Sequence, residues 1–305
     1  MKLSRRQALG AAAAAPAALA MPQIVRAQSA ETEQEVPMIA PYRSVNVGDF
    51  KVTTLLAAHR PMDDPHGTFG LNASDEDFAA AAEANFIPAD SSVNFFTPVL
   101  VETGSDKILF DTGLSPEGVT AALKAAGHAP EDISTVVLTH MHPDHIGGLM
   151  GDSATFTNAQ YVTGKTEFDY WAGAENETFE TKMRPLESKT TFVSEGDSVA
   201  SGITAHDAFG HTPGHMVFRL ESAGQALLLA ADTTNHYVFS LQHPDWEVRF
   251  DMDKAKAAET RRRILDMVAV DRIPMIGYHM PFPGIGYVEQ NGSGYRFVPV
   301  SYQLM

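Results

Sequence analysis

From Ser44 onward, short apolar runs alternate with polar or glycine-marked bends. Ser44–Val47 and Phe50–Leu56 read as two strands around Gly48-Asp49. Residues His59 to Gly70 carry Pro61, Pro65, Gly67 and Gly70 without any period, so a loop near the mouth of a site is expected. Ser74, followed by Asp75, Glu76, Asp77 and a run of alanines, reads as a helix N-cap with acids in the first turn. Phe95–Glu102 and Lys107–Asp111 predict a hairpin about Gly104-Ser105-Asp106, and Pro116 begins a helix through Ala126 that Gly127 closes. Ile133 to Leu138 is rich in β-branched residues and reads as a buried strand. Thr155–Val162, Ile203–Phe209, Met216–Leu220, Ala226–Ala231 and Pro274–Tyr278 are further strands, with a short helix over Lys165–Trp171. Asp253 caps a helix to Ala269 that turns Ala257, Ile264, Leu265 and Val268 inward, with Arg261-Arg262-Arg263 taken as a solvated face. This interleaving is that of an α/β protein, without a repeat of solenoid length.

Candidate chemistry collects where these runs end. Thr139-His140-Met141-His142-Pro143-Asp144-His145-Ile146-Gly147-Gly148 offers three imidazoles and a carboxylate in six residues. At a strand end, i and i+2 project to one side, so His140 and His142 can grip one ion. Pro143 holds His142 extended, and Asp144 and His145 lie past the bend, where they can turn toward a second ion. Gly147 and Gly148 let the backbone turn away. Imidazole and carboxylate suit a borderline ion such as zinc. Three later run ends present His215, Asp232 and His279. Taken singly, His211 or His236 could serve in place of His215, and Asp232 could cap a turn. Asp111 could orient a ligand or cap its own turn. Phe69, Trp171 and Phe282 are candidate apolar walls of a substrate pocket, ordinary core being their plainer role.

Composition narrows the partners. The 305 residues are 44% apolar and 20% charged, as in soluble globular proteins, and the formal charge of −16 would repel nucleic-acid phosphates and anionic membranes. With no cysteine, thiolate metal sites, disulfides and a nucleophilic thiol are all excluded. Ser4-Arg5-Arg6-Gln7-Ala8-Leu9 opens an alanine-rich run to Ala27, the layout of an export signal. Cleavage is expected after Val25-Arg26-Ala27, with Ala18-Leu19-Ala20 second and an uncleaved anchor the competing reading. Removal of residues 1–27 takes four basic residues and no acids, moving the net charge to −20. Residues 28–43 then read as a linker or N-terminal arm.

The paired arginines resemble a twin-arginine export signal. His140-Met141-His142-Pro143-Asp144-His145 with His215, Asp232 and His279 resembles the metallo-β-lactamase-fold superfamily of metallohydrolases, over about Ser44 to Phe297. The resemblance implies a four-layered αβ/βα sandwich over residues 44–305. It implies two divalent ions, most simply Zn2+ with Mn, Fe or Co also admissible. His140, His142 and His215 would hold one, Asp144, His145 and His279 the other, and Asp232 would bridge them. A hydroxide shared by the ions would attack an ester, lactone or phosphotriester, with Asp144 accepting or relaying the proton. Export and Met280-Pro281-Phe282-Pro283-Gly284 are similar to methyl-parathion-hydrolase-like members. Lactonases of the superfamily often carry Tyr three residues past the bridging Asp, where this chain has Asn235. The implied partner is a small molecule and not nucleic acid, in the periplasm, with no stable membrane association once the signal is removed; a homodimer is compatible with it. The rivals are a persulfide-dioxygenase-like enzyme with a single iron and a non-catalytic periplasmic binding protein.

Overall fold

The computed structural model describes residues 40–300. The expected signal at 1–27 and most of the expected arm at 28–43 lie outside the described residues. The chain opens with β1 (Tyr42–Val47) and β2 (Phe50–Leu55), then leaves for a hairpin of β3 (Ala58–Asp63) and β4 (Ser91–Phe96). Helix α1 (Asp75–Ala84) lies in the long loop of that hairpin, and β5 (Val99–Glu102) and β6 (Lys107–Phe110) follow it. Helix α2 (Pro116–Ala125), β7 (Thr135–Leu138), the one-turn α3 (Pro143–Ile146) and β8 (Gln160–Gly164) come next. Helices α4 (Lys165–Ala172) and α5 (Glu177–Lys182) then lead to β9 (Thr190–Val193). The second half runs β10 (Ser198–Ala200), β11 (Ile203–Asp207), β12 (Met216–Ser222) and β13 (Gln225–Ala231). It closes with α6 (Lys254–Asp271), β14 (Met275–Gly277), β15 (Ile285–Asn291) and β16 (Gly294–Pro299).

Two sheets result, ordered β1-β2-β5-β6-β7-β8-β9 and β10-β11-β12-β13-β14-β15-β16, with β3-β4 a separate ribbon. Strand alternation makes the layers. Val99, Val101, Ile108, Phe110 and Val137 face the second sheet and pack with Phe218, Leu220, Leu229 and Ile276. Their neighbours Leu100, Leu109, Val136 and Leu138 point the other way, onto Val119 and Leu123 of α2 and Phe168 of α4. On the far side, Val217, Leu228 and Ala230 pack with Ile264, Leu265 and Val268 of α6. Helices therefore cover both outer faces of two stacked sheets, the αβ/βα sandwich. Among the described residues no helix is long and apolar enough to cross a membrane.

Some expectations needed correcting. Pro98 has no N–H to give a ladder, and the expected strand Phe95–Glu102 splits around it; β4 pairs with β3 and β5 with β2. Residues 59–63 of the expected loop belong to strand β3, with Arg60 opposite Asn94. The expected strand over Thr155–Val162 begins only at Gln160. Arg261 is fully buried rather than solvated. The caps hold: Ser74 accepts from Asp77 N and Asp253 from Lys256 N. Gly148 is demanded by close approach, since a Cβ there would stand 2.1 Å from Thr112 O.

Candidate metal centre

After β7 the chain bends at Thr139 and runs to His142, which precedes α3 in extended geometry, φ −64° and ψ 151°, and Pro143 sets the first helical residue. That single turn puts Asp144 and His145 beside His140 and His142. The nitrogens converge: His140 Nε2 lies 3.1 Å from His142 Nδ1, and His142 Nδ1 lies 3.0 Å from His211 Nε2. Asp232 Oδ2 is 3.2 Å from His211 Nε2 and 3.1 Å from His279 Nε2, and its Oδ1 is 3.2 Å from His145 Nε2. Asp144 Oδ2 stands 3.3 Å from His279 Nε2 and 3.7 Å from His145 Nε2. Three sets of donors thus cluster: His140, His142 and His211; His140, His145 and Asp232; Asp144, His145 and His279.

The donor set fits divalent metal ions. Bonds of about 2.0–2.1 Å arranged tetrahedrally space neighbouring ligand atoms about 3.3 Å apart, close to the separations just given. His145 Nε2 and Asp232 Oδ1 are buried without a hydrogen-bond partner, a cost that a shared cation removes.

Four of the rings, those of His140, His145, His211 and His279, are oriented by their other nitrogen. Asp111 Oδ2 accepts from His145 Nδ1 at 2.8 Å and from Thr139 Oγ1 at 2.9 Å. With its own proton given to Asp111, the Thr139 hydroxyl is left to accept from His140 Nδ1 at 3.1 Å. His279 Nδ1 donates to Phe95 O at 2.8 Å. His211 Nδ1 donates to Asp251 Oδ1 at 2.8 Å, and buried Arg261 donates to Asp251 Oδ2 at 2.7 Å. Two of the positions hold strained backbone: Asp111 has φ 59° and Ala231, just before Asp232, φ 43°.

The structure gathers six of the seven expected ligands and separates the seventh. Both nitrogens of His215 are already used, Nδ1 on Ala208 O at 3.0 Å and Nε2 accepting from Asp232 N at 3.2 Å. His211, at the other end of the same Gly-Pro turn, takes the place expected for His215. His236 is turned elsewhere, its Nδ1 accepting from Val238 N and Phe239 N. A cavity of about 290 Å3 opens on the cluster, lined by Phe69, Phe96, Leu114 and Phe250, with Arg60 and Asn94 among its polar walls. Of the expected walls only Phe69 lines it. Trp171 is buried behind His142, its ring 5.9 Å away, and Phe282 does not line this cavity.

The profile of the metallo-beta-lactamase superfamily matches residues 97–274. The chain belongs to this superfamily. An N-acyl homoserine lactonase of a Bacillus species is 29% identical over 151 residues, 43% of this chain and 57% of that protein. Exodeoxyribonuclease WalJ of Streptococcus pneumoniae is 27% identical over 155 residues, 49% of this chain and 53% of that one. The chain thus spans just over half the length of these relatives. Among solved structures, AidC, a dizinc quorum-quenching lactonase, superposes with a TM-score of 0.79 at 24% identity, over 86% of this chain and 98% of its own. The hydrolase AbOPH of the beta lactamase superfamily gives 0.80 at 25% identity, over 88% of this chain and all of its own.

Charge at this superfamily site is tightly coupled. Burial opposes a charge on His279, but Asp232 and Asp144 outweigh it and raise its pKa to about 10. His211 is likewise raised to about 9, against burial, by Asp232 and Asp251. Burial and the neighbouring imidazoles lower His142 to about 3. A metal must therefore displace protons from His211 and His279. Both are raised groups, protonated below about 9 and 10, so zinc affinity of the metal-free protein should rise steadily from pH 6.5 to 8.5. Competition titrations at several pH values check this; an affinity independent of pH would contradict it.

Proposed function

We propose that the protein is an exported hydrolase that holds two divalent cations, zinc first among them, and cleaves an ester, lactone or phosphotriester. The observation that carries this is the convergence of His140, His142, His211, Asp144, His145, His279 and Asp232 beneath an open, largely apolar cavity. A cation pair held there by these residues would supply a Lewis acid for a carbonyl or phosphoryl oxygen and would bring the pKa of water down to about 7.

The chain's own residues do the rest. Asp144 lines the cavity, and His145 and His279 hold its carboxyl down at about 2 against the effect of burial. It therefore stays ionised at working pH, able to ligate a cation and to accept a hydrogen bond from attacking water, and any proton it relays to the leaving oxygen passes through without resting on it. Asp232 spans the two donor groups. Phe69, Phe96 and Phe250 exclude water and hold an apolar acyl or aryl portion, with Arg60 and Asn94 as polar partners. The volume sits at the low end of ligand pockets, about 300–1,000 Å3, and suits a small molecule. The net charge of −16 disfavours a nuclease reading.

Asp232→Ala should lower bound zinc from two ions toward one and cut kcat/KM on a panel of aryl esters, lactones and phosphotriesters by ~100-fold or more, since it removes a ligand as well as its bridge. Undiminished turnover by a one-metal variant would refute the bridged site. For export, mass spectrometry of the periplasmic protein should find Gln28 at its N-terminus, with Arg5→Lys, Arg6→Lys leaving it inside the cell. An unprocessed chain in the membrane fraction would point to an anchor instead.

A further inference from the structure

Glu167, on α4, is fully buried and accepts four hydrogen bonds. Its Oε1 takes Met141 N at 2.9 Å and Trp171 Nε1 at 2.7 Å. Its Oε2 takes Thr212 Oγ1 at 2.7 Å and Gly214 N at 2.8 Å. Met141 stands between His140 and His142, while Thr212 and Gly214 follow His211. One carboxylate therefore joins the two loops that supply His140, His142 and His211. The contact is close enough to fix the sequence: a Cβ on Gly214 would lie 2.1 Å from Glu167 N.

The four bonds come from neutral donors, and burying an anion on neutral donors is costly; burial indeed pushes the Glu167 carboxyl above its usual range. An apolar side chain could fill the same space at less cost. What it could not do is fix the separation of two loops through four directional bonds. That separation sets the 3.0 Å between His142 Nδ1 and His211 Nε2. Trp171 adds to it, since its indole is held by Glu167 while its ring meets the edge of the His142 ring at 5.9 Å.

We propose that Glu167 is a positioning residue for the metal centre, a buried latch that holds the His140–His142 loop and the His211 loop at the spacing one cation requires. This rests on the reading of the cluster as a metal centre. Nothing in it concerns a bond made or broken in catalysis.

Glu167→Gln keeps the volume and replaces one acceptor oxygen with an amide that faces two donors. Three readouts need no substrate: zinc affinity by competition with a chromophoric chelator, the visible spectrum of the Co(II)-loaded protein, and the melting temperature of the metal-free protein. The expected result is a ~10–100-fold loss of affinity at the first site with an altered Co(II) spectrum. A variant with affinity within twofold of the parent and an unchanged spectrum, whatever its melting temperature, would show Glu167 to be packing alone. Should that variant not fold, Trp171→Phe and Thr212→Val each remove one donor. Each should then weaken zinc severalfold, and affinities within twofold of the parent in both would overturn the proposal. A parent protein that binds two zinc ions yet hydrolyses nothing would remove the hydrolase reading and leave the latch standing.

Discussion

Asp232 is an acid with almost no access to water, and an ionised carboxylate so placed must be met by donors or positive charge. Here it is met by His145, His211 and His279 and by Asn235 Nδ2 at 3.0 Å. Burial would raise its pKa, yet His279 and His145 hold it well below the usual carboxylate range. The rest of the centre answers to that requirement. Carboxylates behind the rings, Asp111 for His145 and Asp251 for His211, hold Nδ1–H outward, so that Nε2 faces the cluster and is the nitrogen freed when a cation displaces its proton. Arg261 in turn balances Asp251, with further bonds to Thr233 O and Pro244 O.

The sandwich delivers these groups through the direction of its strands. β6 and β7 are parallel neighbours, so Asp111 and the His140–His145 segment leave the first sheet at the same end. β13 and β14 are parallel neighbours in the second sheet, and Asp232 and His279 leave side by side in the same way. The antiparallel turn from β11 to β12 adds His211. Both sheets therefore empty their loops at one rim, where open α/β architectures gather their sites. The strained Ala231 and Asp111 stand at the points where strands give way to ligand-bearing loops, and the packed sheets beneath hold them there.

Much of this was legible in the chain. Apolar runs ending on His or Asp marked the strand ends, because strand alternation and turn chemistry are local. The choice between His211 and His215 was not, since it depends on which ring finds Asp251, forty residues on, and which finds Ala208 O and Asp232 N. Arg261 did carry a signal: it sits four residues after Ala257 and three before Ile264, on the apolar stripe of α6 rather than on the outer face with Arg262 and Arg263. Glu167 carried no local signal, because three of its four donors come from distant loops. Trp171 belongs to the core, the plainer of its two expected roles, and Phe282 lies off the cavity; aromatic residues look alike in sequence whether they wall a pocket or back one.

Anomalous diffraction from crystals grown with zinc tests the central claim most directly. Two peaks are expected, one within about 2.0–2.2 Å of His140 Nε2, His142 Nδ1 and His211 Nε2 and the other at that distance from Asp144, His145 and His279, with Asp232 touching both. A single peak, or ions bound through His215 with His211 turned away, would contradict it.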